Sequence, residues 1–280
     1  MHFYMIIWCA SYPKSGNTWV RAIITSLIYS EDGIFNFNLL RKLGLFPRRN
    51  HFKELTDDFT DLKNLSKYWI KAQERINSDG RLKIFKTHNG NYNFFDNDFT
   101  NKKNTLATIY IVRDPRNIIS SLSNHYQQDF KISTDYLLNE EAFLLNKDLN
   151  YKSEENVITL LGSWKNHYNS WKISSNLLLI RYEDLVIDIK SQVNRLSNFL
   201  KKFGNFHTNE SKINNIIETT SFQLLKNKEE NEGFEEAVNS KIKFFNLGPK
   251  SNWKNLVDQK LIHKIEKSFE KEMKELNYLS

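Results

Sequence analysis

Residues 3–11 run apolar almost without a break, Pro13 to Gly16 interrupt them, and Val20, Ile23, Ile24, Leu27 and Ile28 then recur at helical spacing. A continuous apolar run of this length reads as a strand covered on both faces, which places it inside a parallel sheet. Strand, short loop and helix within the first thirty residues form the opening half of a βαβ unit. The run is too short to span a bilayer and no basic region precedes it, so a core strand is expected rather than a signal peptide or a transmembrane anchor.

Short aliphatic segments at 82–86, 108–112 and 177–180 predict three more strands, each followed by polar residues. Helical patterns occur at 118–126, 157–171, 189–203 and 261–276; in the last, Leu261, Ile265, Phe269 and Met273 stack at i, i+4. Strands and helices alternate with no evident linker. The expected fold class is therefore α/β, a three-layer P-loop-type fold with a central, mainly parallel sheet flanked by helices, in one domain over 1–280. Ligands of such sheets bind at the carboxyl ends of the strands. Residues 31–80 and 125–155 are the least regular; they carry Phe35, Phe37, Phe46, Phe52, Tyr68, Trp69, Tyr126 and Tyr136 and read as insertions over the sheet edge.

Forty Lys and Arg against 33 Asp and Glu leave a net charge of +7 over 280 residues. That excess suits an anionic ligand or simply a solvated basic surface, and composition does not choose between them. Cys9 is the one cysteine. An internal disulfide and a cysteine zinc cluster are excluded, and a reducing, cytoplasmic setting is expected. No cluster of carboxylates or histidines suggests a metal site, and none is expected.

The loop after the first strand reads Ser11-Tyr12-Pro13-Lys14-Ser15-Gly16-Asn17-Thr18-Trp19 and ends where a helix begins. Successive amides at such a turn form an anion-binding concavity, and the helix dipole adds to it. Lys14 supplies charge; Ser15 and Thr18 supply hydroxyl donors. A Walker A loop has its lysine directly after its last glycine, whereas Lys14 precedes Gly16 by two positions. An ordinary nucleoside triphosphatase is thereby disfavoured. About one hundred residues on, a second strand ends in Arg113-Asp114-Pro115-Arg116-Asn117-Ile118-Ile119-Ser120-Ser121. Asp114 suits an N-cap and Pro115 the first helical position. A guanidinium at the strand end and a serine two turns into the helix can converge on one phosphate. Equally, an arginine there can pair with Asp114 and be purely structural.

The first string resembles the 5'-phosphosulfate loop of the sulfotransferases that use 3'-phosphoadenosine 5'-phosphosulfate (PAPS), with Asn17 where relatives usually have Thr. The second resembles their 3'-phosphate motif, in which the arginine and the serine eight residues later correspond to Arg113 and Ser121; Ser120 is a neighbouring stand-in. The resemblance implies PAPS as co-substrate, Lys14, Ser15, Gly16, Asn17, Thr18 and Trp19 as its loop, and Arg113 and Ser121 as its anchor.

Lys86-Thr87-His88 resembles the family's Lys-x-His element, which implies His88 as general base and Lys86 on the sulfuryl oxygens. Tyr182, in Arg181-Tyr182-Glu183-Asp184-Leu185, and Phe222, in Thr219-Thr220-Ser221-Phe222, correspond to residues beside the adenine. The C-terminal element appears as Asn246-Leu247-Gly248-Pro249-Lys250-Ser251-Asn252-Trp253-Lys254, where Gly248, Trp253 and Lys254 match and the usual basic pair has become Asn246 and Leu247. Lys250 is the expected replacement. The implied activity is sulfuryl transfer to a hydroxyl or amine of a small-molecule, lipid or saccharide acceptor, with no nucleic-acid partner. A P-loop kinase and a non-catalytic anion- or nucleotide-binding module remain as alternatives.

Overall fold

A computed structural model describes residues 6–144, 157–237, 241–250 and 252–280. The start of the predicted first strand and residues 145–155 of the second irregular segment lie outside the described residues. The elements that carry the site are β1 (Ile6–Ser11), α1 (Asn17–Tyr29), β2 (Gly44–Leu45), β3 (Lys83–Thr87), β4 (Thr105–Val112), α2 (Pro115–Tyr126), α3 (Trp164–Lys172), β5 (Leu177–Arg181), α4 (Tyr182–Ile187), α5 (Ile189–Leu200), α6 (Glu210–Thr219) and α7 (Phe222–Glu232).

The main sheet has the order β2-β3-β1-β4-β5. β1 and β3 pair in parallel from Ile6 opposite Lys83 to Ala10 opposite Thr87, and β2 joins the other side of β3 with Leu45 opposite Lys86. All six residues of β1 are buried, as its unbroken apolar run demands. The fold is the expected parallel sheet flanked by helices.

The chain divides into two compact units. The first comprises the chain up to Tyr12, Leu43–Tyr110 and Asn139–Leu179. Its core is aromatic: Trp8 lies 5.6 Å from Phe46, 5.5 Å from Phe99 and 6.3 Å from Trp171, ring centre to ring centre. Tilted and edge-on pairs of this kind fill volume while matching the ring quadrupoles. The second unit comprises Pro13–Lys42, Ile111–Leu138 and Ile180–Ser280. There α1 packs against α5 and α6. Lys212 on α6 sends its ammonium to the Leu27 carbonyl at 2.9 Å, capping the last turn of α1 from the side.

Several expectations shift. Residues 157–171 do not form one helix: Thr159–Leu160 pairs with Phe143–Leu144, and the helix starts only at Trp164, where Ser163 accepts the Asn166 amide as N-cap. The predicted helix at 261–276 is two, Gln259–Ser268 and Glu270–Glu275, parted at Phe269, whose backbone leaves the helical range at φ −121°, ψ 18°. Residues 31–80 are more than an insertion over the sheet edge. They contribute β2 to the sheet, and Phe35, Phe46, Phe52 and Trp69 are all core side chains.

Candidate active site

In the second unit, Gly16 and Trp19 of the phosphate loop meet Arg113 at the Tyr182 ring. Gly16 caps α1 in the left-handed region at φ 96°, where a side chain is strained, and a Cβ there would come within 2.6 Å of the Tyr182 ring. Glycine is thus required twice over, by backbone and by space. Trp19 packs edge-on to Tyr182 at 5.7 Å, and the Arg113 guanidinium lies over the same ring at 4.3 Å. Burial pushes the Tyr182 phenol up, with the Arg113 charge opposing.

Arg113 also donates through Nη1 to the Lys14 carbonyl at 3.1 Å, tying the end of β4 to the loop. It makes no use of Asp114. That carboxylate caps α2 at the Arg116 amide, 2.9 Å, and takes the Arg116 side chain through Nε at 3.0 Å and Nη2 at 2.7 Å. Arg116 continues to Glu266 and to the Tyr278 carbonyl, and Trp253 lies against its guanidinium at 4.2 Å. The structural arginine of this motif is therefore Arg116, and Arg113 is left for other work.

Arg113 Nε, Ser15 Oγ and Trp19 Nε1 are buried polar atoms without a hydrogen-bond partner among the described residues. A buried donor left unmade costs about 1–3 kcal/mol, so a guanidinium and a hydroxyl exposed to this cost beside a helix N-terminus fit a phosphate group. Lys14, at φ 65°, sets its ammonium over the Phe244 ring at 4.0 Å. Ser121 is half-buried on α2; Ser120 hydrogen-bonds to the Asn117 carbonyl at 3.1 Å and lines a groove of about 350 Å³ with Ser123, Asn124, Asn246 and Leu247. Phe222 meets Gly248 so closely that a Cβ on that glycine would lie 2.1 Å from the ring. Lys250 ends the 3₁₀ turn Gly248–Lys250, and its side chain lies outside the described residues.

Sequence reasoning missed Arg21 and Glu236. Arg21 is buried one turn along α1, and its Nη2 donates to Thr18 Oγ1 at 3.1 Å and to Glu236 at 2.6 Å, while the Thr18 hydroxyl donates to the other Glu236 oxygen at 3.2 Å. A charged residue on the buried face of an apolar helix was the available signal. Glu183 was also passed over: it accepts the Asp114 amide at 3.0 Å and the Tyr278 hydroxyl at 2.8 Å.

In the first unit, β3 ends in Lys86 and Thr87, both buried, and His88 follows. His88 Nδ1 lies 2.8 Å from the Ser11 carbonyl. A carbonyl only accepts, so Nδ1 carries the proton and the basic lone pair belongs to Nε2. The next residue, Asn89, is fully buried, with its carbonyl taken by Trp171 Nε1 at 2.9 Å. Among the described residues, no group of three or more His, Cys, Asp and Glu is placed to hold a metal ion. Nor is any helix there long and apolar enough to cross a membrane.

The family model described as "Sulfotransferase domain" matches residues 6–277. Among curated relatives, human Sulfotransferase 1E1 is 29% identical over 95% of this chain and 83% of its own length. The Flavonol 3-sulfotransferase of Flaveria bidentis is 24% identical over 95% and 81%. The Luciferin sulfotransferase of Photinus pyralis is 24% identical over 92% and 68%. Among solved structures, mouse sulfotransferase SULT7A1 complexed with PAP superposes with a TM-score of 0.55 at 20% identity over 96% of this chain and 84% of that one. Retinol dehydratase in a complex with retinol and PAP gives 0.58 at 17% over 96% and 81%, a likeness of fold. With a match that runs from β1 almost to the last residue, the chain belongs to the sulfotransferase domain family.

Proposed function

We propose that the protein moves a sulfuryl group from PAPS to a hydroxyl of a small organic acceptor, using His88 as base and the phosphate loop and Arg113 to hold the nucleotide. As a family member it is a PAPS-dependent sulfotransferase. The division of labour among residues is our reading. The observation that carries it is the split between the two arginines: Asp114 is committed to Arg116, while Arg113, held at the Lys14 carbonyl and the Tyr182 ring, keeps a buried Nε donor with no partner among the described residues.

PAPS supplies an already activated sulfuryl group, so the protein's work is alignment and charge. The loop amides, Ser15, Asn17, Thr18 and Lys14 hold the phosphate that departs, and Lys86 balances the sulfuryl oxygens. Arg113 with Ser121 takes the 3'-phosphate. Trp19, Tyr182 and Phe222 border the base, with Gly248 giving Phe222 its room. His88 accepts the acceptor's proton at Nε2 as the new S–O bond forms, its Nδ1–H held by the Ser11 carbonyl. Lys250 supplies the charge that Asn246 and Leu247 lack.

The chain 1–280 is read as one sulfotransferase domain, and its location as cytoplasmic. A small-molecule acceptor is supported by relatives named for flavonols and luciferin. Lipid and saccharide hydroxyls are the rival acceptors. The P-loop kinase and the non-catalytic module are disfavoured by family membership. The test is incubation with PAPS and separate extracts of small metabolites, lipids and saccharides, followed by mass spectrometry. New sulfate esters in the metabolite fraction are expected; sulfation confined to lipids or saccharides would move the acceptor class, and none in any fraction would remove the activity.

A further inference from the structure

We infer that His167, a buried histidine on α3, is a positioning residue for sulfuryl transfer: it fixes the main chain of His88 while the Ser11 carbonyl fixes the imidazole. The inference rests on His88 being the base.

His167 is 0% exposed, and each of its ring nitrogens has a partner. Nε2 lies 3.0 Å from the His88 carbonyl oxygen, and Nδ1 lies 2.9 Å from the Tyr110 hydroxyl on β4. The carbonyl can only accept, so Nε2 carries the proton. Nδ1 must then accept, which the tyrosine O–H allows. Both contacts are satisfied at once by a single species, the neutral ring protonated at Nε2. Burial pushes the His167 pKa down to about 4, so that species persists at neutral pH.

The chemistry of the neighbours explains why a histidine stands here. Tyr110 sits on a strand of the sheet, and its ring and that of Tyr12 close on His167 at 5.7 Å and 5.6 Å. The ring therefore works as a rigid strut from the sheet to the turn that follows β3. The same face of α3 adds Trp171, which donates to the Asn89 carbonyl at 2.9 Å, and Ser170, whose oxygen takes the Asn91 amide at 2.9 Å. Opposite them, Leu160 accepts the Gly90 amide at 2.8 Å and donates to the Asn89 side chain at 2.9 Å. Three residues of one helix thus hold main-chain groups of His88, Asn89 and Asn91.

His167 differs from the other two in what it touches. Its partner is the carbonyl of His88 itself, so its hydrogen bond sets the peptide plane from which the imidazole projects. The second fixed point is Nδ1 on the Ser11 carbonyl at 2.8 Å. With the main chain and the ring each pinned, the Nε2 lone pair has one direction. A misplacement of about 1 Å at a reacting group costs roughly a hundredfold in rate, so loss of either pin should appear in kcat.

The experiment compares three variants of the full chain, His167→Gln, His167→Asn and His167→Phe, with PAPS and an acceptor found by the extract screen. A glutamine amide nitrogen reaches the position of Nε2 and can still donate to the His88 carbonyl; an asparagine reaches only the position of Nδ1. Expected is a kcat within about threefold of the parent for Gln and a loss of roughly tenfold or more for Asn and Phe. Dissociation constants for adenosine 3',5'-bisphosphate (PAP) should stay within about threefold throughout, because the nucleotide contacts are assigned elsewhere. Equal kcat losses in Gln and Asn at matched folded fraction, set from the melting curves, would overturn the inference, as would a normal kcat in both. His88→Asn run alongside separates the two ideas. Near-normal turnover in His88→Asn removes the base, and with it the strut. An inactive His88→Asn beside a fully active His167→Asn removes the strut alone.

Discussion

Arg113 and Arg116 are three residues apart, one before the helix cap and one in its first turn, and their surroundings assign them opposite kinds of work. Arg116 meets Asp114 through two nitrogens, reaches Glu266 and stacks on Trp253, so its charge is neutralised inside the fold. Breaking a buried pair of this kind costs about 3–5 kcal/mol, and Arg116→Met should lower the melting temperature markedly even without ligand. Arg113→Met removes a guanidinium that touches a carbonyl and an aromatic face. It should leave the ligand-free melting temperature close to the parent and weaken PAP binding by roughly tenfold or more, in keeping with about 1.5–3 kcal/mol for a charged hydrogen bond. Calorimetric titration and melting curves on both variants check the split; equal effects of the two on PAP affinity would contradict it. His88 belongs to the same scale. His88→Asn should lower turnover about a hundredfold or more while PAP affinity stays within about threefold. Near-normal turnover at saturating acceptor would exclude this histidine as the base.

The loop after α7 makes the next prediction. Glu236 takes both the Thr18 hydroxyl and the Arg21 guanidinium at the start of α1, so a carboxylate competes for donors that would serve a phosphate. Glu236→Gln should tighten PAP binding several-fold and steepen its dependence on salt, since a positive charge near the loop is no longer neutralised. Weaker binding in that variant would mean that Glu236 supports the loop instead. Elements like this one were poorly legible in the sequence. Local signals found β1, β3, β4 and β5 to within a few residues because each is an aliphatic run bounded by polar residues. β2 is a two-residue strand, Gly44–Leu45, too short to show a period, and its place is set by pairing with Phe85 and Lys86. The apolar stretch before Trp164 has a helical pattern, but the Leu160 amide donates to the Asn89 side chain and its carbonyl accepts the Gly90 amide instead. The two phosphate motifs were readable because each depends on adjacent residues. Arg21, Glu236 and His167 were not, since their partners lie far along the chain.

For the molecule as a whole, the aromatic residues scattered through 31–80 are mainly structural, with Trp8, Phe46, Phe99 and Trp69 forming one core in the first unit. Two histidines of that unit are shielded from solvent, His167 fully buried and His51 half-buried. His51 and His167 both have pKa values lowered to about 4, chiefly by burial, with the Arg48 charge adding to the effect at His51. An unfolded histidine titrates near 6.5, so between about pH 6.5 and 4 the unfolded chain binds more protons than the folded one. Stability is therefore fully present above pH 6.5 and falls as the pH drops towards 4. The melting temperature should decline over this window, and His51→Phe should flatten the decline; a melting temperature unchanged from pH 7 to 4.5 would show that neither ring is held neutral.

Recognition of a nucleotide by its 3'-phosphate is tested most directly by the melting temperature with matched concentrations of PAP, AMP and ATP with magnesium. Binding to the folded state stabilises by mass action. PAP should raise the melting temperature far above either of the others, and the Arg113→Met variant should lose most of that difference. Equal shifts with PAP and AMP would remove the 3'-phosphate assignment, and a larger shift with ATP and magnesium would contradict the account as a whole.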